Sequence, residues 1–193
     1  MTSPPPLRYN RLRGIFYAMN IFYLDTDYQK AATAHCDKHV NKMIIEHLQM
    51  MSIVAHEYGV QPARRKNGEL YKVRGFKNHP CTRWVAKSQD NFIWTWNLTW
   101  SLCEEFLIRY NKHHSGFNSL KSIDLAEIMI NMPKLGITPP AQAMPDCCKV
   151  EGNAVEAYRN YYNWFKWRFA SWKNQEPEWW APGCEVSSRN EYD

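Results

Sequence analysis

No run in this sequence approaches the ~20 consecutive apolar residues that cross a bilayer, so a membrane-spanning role is not expected. No secretory signal is visible either, because the first residues lack an apolar run of adequate length. Cys-x-x-Cys pairs are absent too, although six cysteines occur, at 36, 81, 103, 147, 148 and 184. That absence argues against a zinc ribbon or finger. The vicinal Cys147 and Cys148 could hardly bridge each other without strain. The thiols therefore read as reduced and the protein as cytoplasmic. Internal repeats are also missing, which leaves one ordinary domain as the expectation for 193 residues.

What is plentiful is aromatic. Hydrophobic residues make up 45% of the chain and aromatic residues 15%, with nine tryptophans and eleven tyrosines, so a folded globular core is expected. Such rings fill cores, and they also stack on bases. The net charge of +5 is compatible with an anionic partner but too mild to establish one. Local clustering has to decide.

Residues 1–18, proline-rich and then basic, read as a disordered tail or as a stretch upstream of a true start at Met19. A first long helix is expected over Thr26–Tyr58, opened by an Asp cap and closed by Gly59. Asn67-Gly68 then signals a small hairpin. In it Arg64, Arg65, Lys66, Lys72, Arg74 and Lys77 face one acid, Glu69. A second long helix is expected over Thr82–Lys112 with Pro80 just outside it, its buried stripe running through Ile93, Trp96, Trp100, Cys103, Leu107 and Tyr110. A shorter helix follows at Ile123–Met132, and the proline-rich 136–146 is loop. Asn153 and Glu156 resemble a capping box and open a third long helix, Ala154–Lys173. The expected fold is mainly α: a single compact helical domain over 19–180 with three long helices and a small basic β-hairpin, and a flexible tail at 181–193.

Three clusters carry the chemistry. At ~100° per residue, His35, His39, Lys42, Glu46, Gln49 and His56 fall within one arc of the first helix. Cys36, Val40, Met43, Met50, Met51 and Val54 form a separate core face, while Lys30, Asp37, Asn41 and Ser52 suit solvent. The row admits three readings. It is a solvated face with a Lys42/Glu46 pair. It is a metal site on His35 and His39, completed from His79, Cys81, Asp90 or Glu104, although the Glu of the zinc-protease motif is missing. Or it is an acid/base wall in which Glu46 and a histidine are tuned by burial and by Lys42.

The second cluster is "NHPCTRW", where His79 precedes a helix start and Arg83 follows at helical spacing, an arrangement suited to phosphate. The third is "YRNYYNWFKWRFASWK", in which Tyr161, Trp164 and Trp167 alternate with Arg159, Lys166 and Arg168. Alternating rings and cations suit base stacking with phosphate contact, and core packing is the competing reading. With the basic hairpin, these point to DNA or another nucleic acid as partner.

On those residues two resemblances can be named. "HCDKH", "NHP" and "TPPAQAMPD" resemble motifs of proteins carried by tailed phages and some bacteria. The plan of the chain is similar to the phage pyrimidine-dimer DNA glycosylase family: a small all-α domain, an early helix with basic groups and a glutamate, and an aromatic-basic C-terminal region. The resemblance spans about half the chain. It implies an N-terminal α-amine as nucleophile, supported by a helix-borne glutamate, which would be Glu46. The amine would be that of Thr2 once Met1 is removed; with Met19 as start, Asn20 would protect the methionine, and Lys42 would have to replace the amine. The expected function is then a DNA glycosylase/lyase with His35, His39, Lys42 and Glu46 as catalytic wall. Arg64, Arg65, Lys66, His79, Arg83 and Arg159 would hold the backbone, and Tyr161, Trp164 or Trp167 would stack on a base. No cofactor is expected. The alternatives are a metal-dependent phosphoester or nucleotide hydrolase using His35 and His39, and a non-catalytic single-strand nucleic-acid-binding module.

Overall fold

The computed structural model describes residues 19–183; the tail expected at 1–18, and residues 184–193 of the one expected at 181–193, lie outside that range. Among the described residues there are seven α-helices and no β-strand. They are α1 (Tyr28–Ala34), α2 (Asp37–Glu57), α3 (Pro80–Lys87), α4 (Gln89–Tyr110), α5 (Gly116–Lys121), α6 (Leu125–Asn131) and α7 (Ala154–Phe165), with a 3-10 turn at Asp146–Cys148.

The single first helix expected over 26–58 is two helices. Asp27 caps α1 by accepting the Gln29 and Lys30 N–H groups, and the chain turns extended at His35 and Cys36 before α2 begins. The cause lies 74 residues away in sequence. Arg109 of α4, buried, donates to the His35 carbonyl at 2.8 Å and to the Thr33 carbonyl at 2.9 Å, and pairs with Asp37 and Glu105. A break is tolerated where a buried guanidinium satisfies the carbonyls that helix bonding abandons.

The second expected helix is also divided. Pro80 opens α3 from inside, at a first-turn position that needs no N–H. Ser88 then ends α3 and caps α4, its hydroxyl accepting the Asn91 N–H at 3.1 Å. The buried face of α4 runs through Phe92, Trp94, Leu98, Leu102 and Phe106. Of the expected stripe only Cys103 is fully buried; Trp96, Trp100 and Tyr110 lie along the flank, packed against the core's edge.

Helix α2 is the centre of the core. Cys36, Val40, Met43, Met50, Met51 and Val54 are all buried, as the spacing predicts, against α4 and α3. Ser52, expected toward solvent, is buried and accepts the Ala63 N–H instead. Helix α5 crosses α2 where Gly116 sits: a Cβ there would stand 2.6 Å from Ile44 Cγ2 and 2.9 Å from Leu48 Cδ1. The Asn67-Gly68 turn forms, with Arg65 and Glu69 hydrogen bonded across it, but its flanks make one isolated bridge, Arg64 to Leu70, and not a hairpin of strands. The capping box at Asn153 and Glu156 opens α7, which stops at Phe165, eight residues before the expected Lys173.

Candidate active site

Glu46 stands one turn beyond Lys42 on α2, and their side chains pair at 2.7 Å. The other carboxylate oxygen accepts the backbone N–H of Asn20 at 3.1 Å. Glu46 is only 9% exposed, and burial pushes its carboxyl above the usual range, while Lys42, the Asn20 N–H and the Lys166 ammonium pull it back. Asn20 is fixed in turn: its side-chain amide donates to the Ala143 carbonyl, and its Oδ1 accepts the Ile21 and Phe22 N–H groups. The "AQAMPD" loop and the extended segment before α1 therefore close one end of the site. That turn forces Phe22 into the left-handed region at φ 40°, which is uncommon for a bulky residue and marks a position held by its surroundings.

The Phe22 ring stacks on His39 at 4.4 Å between centroids and lies 5.9 Å from Tyr161. Lys166, just past the end of α7, reaches back over these rings. Its Nζ donates to the Tyr161 hydroxyl at 2.9 Å and lies 4.0 Å from the Tyr161 ring centre and 5.8 Å from that of Phe22. Burial, and then the Lys42 ammonium, push Lys166 down to about 8. Two lysines, one carboxylate and two rings thus share one corner. Sequence reasoning placed Lys166 only among the cations that alternate with rings in the third cluster, and gave Asn20 no place in the site. The one signal for Lys166 is its place inside "WFKWRF", an ammonium embedded in rings.

The expected histidines lie deeper. His35 is wholly buried at the α1–α2 break, donates from Nδ1 to the Ala31 carbonyl at 2.6 Å, and is pushed by burial down to about 4. His39 shares a 2.5 Å hydrogen bond with the Tyr162 hydroxyl and is held well below its ordinary range, by burial first and then by His35, Lys166, Lys42 and Lys38. Both are neutral imidazoles; His39 forms the floor under Phe22, and His35 lies behind it. Among the described residues no group of three or more His, Cys, Asp or Glu side chains comes together to hold a metal ion, so His35 and His39 find no third ligand there.

The expected nucleic-acid contacts divide. Arg64, Arg65 and Lys66 are exposed on the turn, and that loop is tied to α2 one turn past Glu46, where Gln49 donates to the Lys72 carbonyl. Tyr161 belongs to the corner itself. Trp164 is half-buried and Trp167 is 46% exposed beside Lys166. His79 caps α3, accepting the Cys81 N–H. Arg83 is paired with Glu57 at 2.8 Å, 11 residues beyond Glu46 and therefore about 16 Å along the helix. Arg159 holds the Leu24 carbonyl and Asp25, in a separate cleft of about 670 Å³ that Trp179 also lines.

No curated protein and no solved structure matches this chain. Residues 19–118 match the family described as pyrimidine dimer DNA glycosylase. That stretch holds Asn20, Phe22, Lys42 and Glu46 but ends before α7, so the second lysine and its tyrosine lie outside it. No described helix is long and apolar enough to cross a membrane. Covering 100 of 193 residues, and containing the whole helix that presents the carboxylate, the match shows that the chain belongs to the pyrimidine dimer DNA glycosylase family.

Proposed function

We propose that the protein is a DNA repair glycosylase that cuts the N-glycosidic bond of a damaged pyrimidine in DNA, with Glu46 at the centre of the reaction. The observation that carries this reading is the almost buried carboxylate of Glu46, fixed by Lys42 and the Asn20 N–H beside a second amine and two aromatic rings. Breaking the bond between C1′ and the base leaves positive charge on the sugar, and a fixed carboxylate in a water-poor corner stabilises that charge more than one in bulk water. Lys42 sets the carboxylate's orientation and its charge balance. His39, neutral and hydrogen bonded to Tyr162, supports the floor on which the sugar would rest. A base drawn from the stack would meet Tyr161, Trp164 and Trp167, while Arg64, Arg65 and Lys66 meet phosphates at the rim.

The test is single-turnover base release from a duplex with one pyrimidine dimer. Glu46→Gln keeps the side chain's size and its ability to accept the Asn20 N–H, and should lose about 10²–10⁴-fold in rate. Full activity in that variant would remove the centre of the proposal. Salt-dependent DNA binding with no base release in the unaltered protein would favour the non-catalytic binding module.

A further inference from the structure

Trp96 and Trp100 belong to the expected stripe but lie at the core's edge, where they line a cleft of about 380 Å³ between α4 and the start of α1. We propose that this cleft binds a free nucleobase or nucleoside, a flat uncharged heterocycle, at a site separate from the Glu46 corner.

The walls are rings. Trp96 and Trp100, one turn apart on α4, stack at 5.2 Å between centroids with planes 25° apart, and Phe117 of α5 backs Trp100 at 4.9 Å. The Trp100 Nε1–H donates to Glu104 at 3.0 Å, which fixes that ring's rotation. Tyr28 stands on the α1 side. Helix α1 is pinned to α4 near both of its ends: Trp94 Nε1 donates to the Thr26 carbonyl at 2.9 Å, and the Thr33 hydroxyl donates to Glu105 at 3.2 Å. A cleft formed before its ligand arrives loses little affinity to ordering. Its volume falls within the roughly 300–1,000 Å³ of small-molecule sites.

Polar groups converge on the same space. Ser101 is 5% exposed and lines the cleft, and its hydroxyl hydrogen bonds to no described residue. A polar side chain that deep is normally satisfied, so its open hydroxyl marks a place for a ligand atom. The side-chain amides of Asn97 and Gln29 line the cleft too, and they likewise have no hydrogen-bond partner among the described residues. Glu104 gives one oxygen to Trp100 and has a second to accept an N–H. Rings meet the face of a planar ligand, while amides, a hydroxyl and a carboxylate meet the donors and acceptors of its edge, which is the pattern a base requires. Among the described residues no lysine or arginine lines the cleft, and Glu104 brings negative charge, so a phosphate is repelled and the bare base or nucleoside is favoured.

At ~100° per residue, the cleft side chains of α4 centre about 130° round the helix from Thr99, whose hydroxyl meets His47 on the inner face. The cleft shares no lining residue with the Glu46 corner and does not depend on the reaction proposed there.

Isothermal titration of the full chain with adenosine and with cytidine tests the site. A Kd on the order of 0.1–1 mM is expected for ligands of that size. It should weaken by about tenfold or more in Trp100→Ala, which removes a stacking face, and in Asn97→Leu, which crowds the cleft and leaves both rings in place. Melting curves check that both variants fold, and Asn97, partly exposed, is the position at which folding is least at stake. Glu46→Gln should bind as the unaltered protein does, and adenosine monophosphate should bind more weakly than adenosine. Base release from damaged DNA should be unchanged in Asn97→Leu, which keeps this site and the Glu46 reading apart. No saturable binding of either nucleoside overturns the proposal. So does binding that survives both cleft variants, or that disappears in Glu46→Gln, because the nucleoside would then sit in the corner. Glucose binding as tightly as the nucleosides, with the same dependence on Trp100 and Asn97, would make this a sugar site and overturns the assignment. A monophosphate preferred over its nucleoside overturns it as well.

Discussion

Glu46 and His47 are neighbours on α2 and meet opposite surroundings. His47 points inward, wholly buried, its Nδ1 hydrogen bonded to the Thr99 hydroxyl at 3.0 Å, and burial pushes it down to about 3. With His35 and His39 it belongs to a group of neutral imidazoles used as core material. Glu46 lies at the rim, where burial pushes its carboxyl up and Lys42, Lys166 and the Asn20 N–H pull it back. The difference teaches that depth, and not residue type, assigns the chemistry. A histidine without water access cannot exchange protons with a substrate, whereas a carboxylate at a dry edge can.

The largest effect that would sharpen this contrast is the Glu46→Gln loss of about 10²–10⁴-fold in base release, with melting temperature little changed. On the buried side the pattern should invert. Arg109→Met leaves Glu105 and Asp37 without their guanidinium and frees the carbonyls at the α1–α2 break. It should cost about 3–5 kcal/mol in urea denaturation, with activity falling only as the folded fraction falls. Loss of activity in a fully folded Arg109→Met protein would show that the break itself shapes the site.

Acid should separate the two groups next. His35 and His47 are lowered from 6.5 to about 4 and about 3. The folded state therefore refuses protons that the unfolded chain accepts below pH 6.5. Their stabilising contribution is complete above that pH and is lost as pH falls toward 3. On the order of 2 kcal/mol per buried histidine should disappear between pH 7 and 4.5, read from urea midpoints. Flat stability across that range would mean the imidazoles reach water. The smallest effect is expected at the rim. Replacing Arg65 by Ala should weaken DNA binding by less than about tenfold at 0.15 M salt, and reduce the slope of log affinity against log salt by about one.

Much of the scaffold was legible because it is local. The 3-4 spacing of Val40, Met43, Met50 and Val54 found the core face of α2, and the Asn153/Glu156 box found the start of α7. The break at His35 was not legible, since its cause is an arginine 74 residues further on. Likewise the turn at Asn67-Gly68 is written locally, but whether its flanks become strands depends on partners they do not have. Lys42 and Glu46 emerged from the helix period, yet the same period placed His35 and His39 beside them, because angle around an axis carries no information about how much protein lies outside it. Lys166 was hidden for a related reason: proximity to residue 46 comes from α7 folding back, and no spacing within "WFKWRF" encodes that.

The return of α7 also has a consequence in time. Phe22 touches Tyr158, Tyr161 and Tyr162 at ring separations of 6.0, 5.9 and 5.2 Å, so the beginning of the described chain is completed by its far end. The 116 residues from Glu46 to Tyr162 take a ribosome roughly 6–23 s to add. During that interval the carboxylate helix exists without its tyrosine wall, with Phe22 and His39 uncovered. A message truncated anywhere before α7 thus yields a chain that carries Glu46 and Phe22 without the tyrosines and the lysine that surround them in the folded protein.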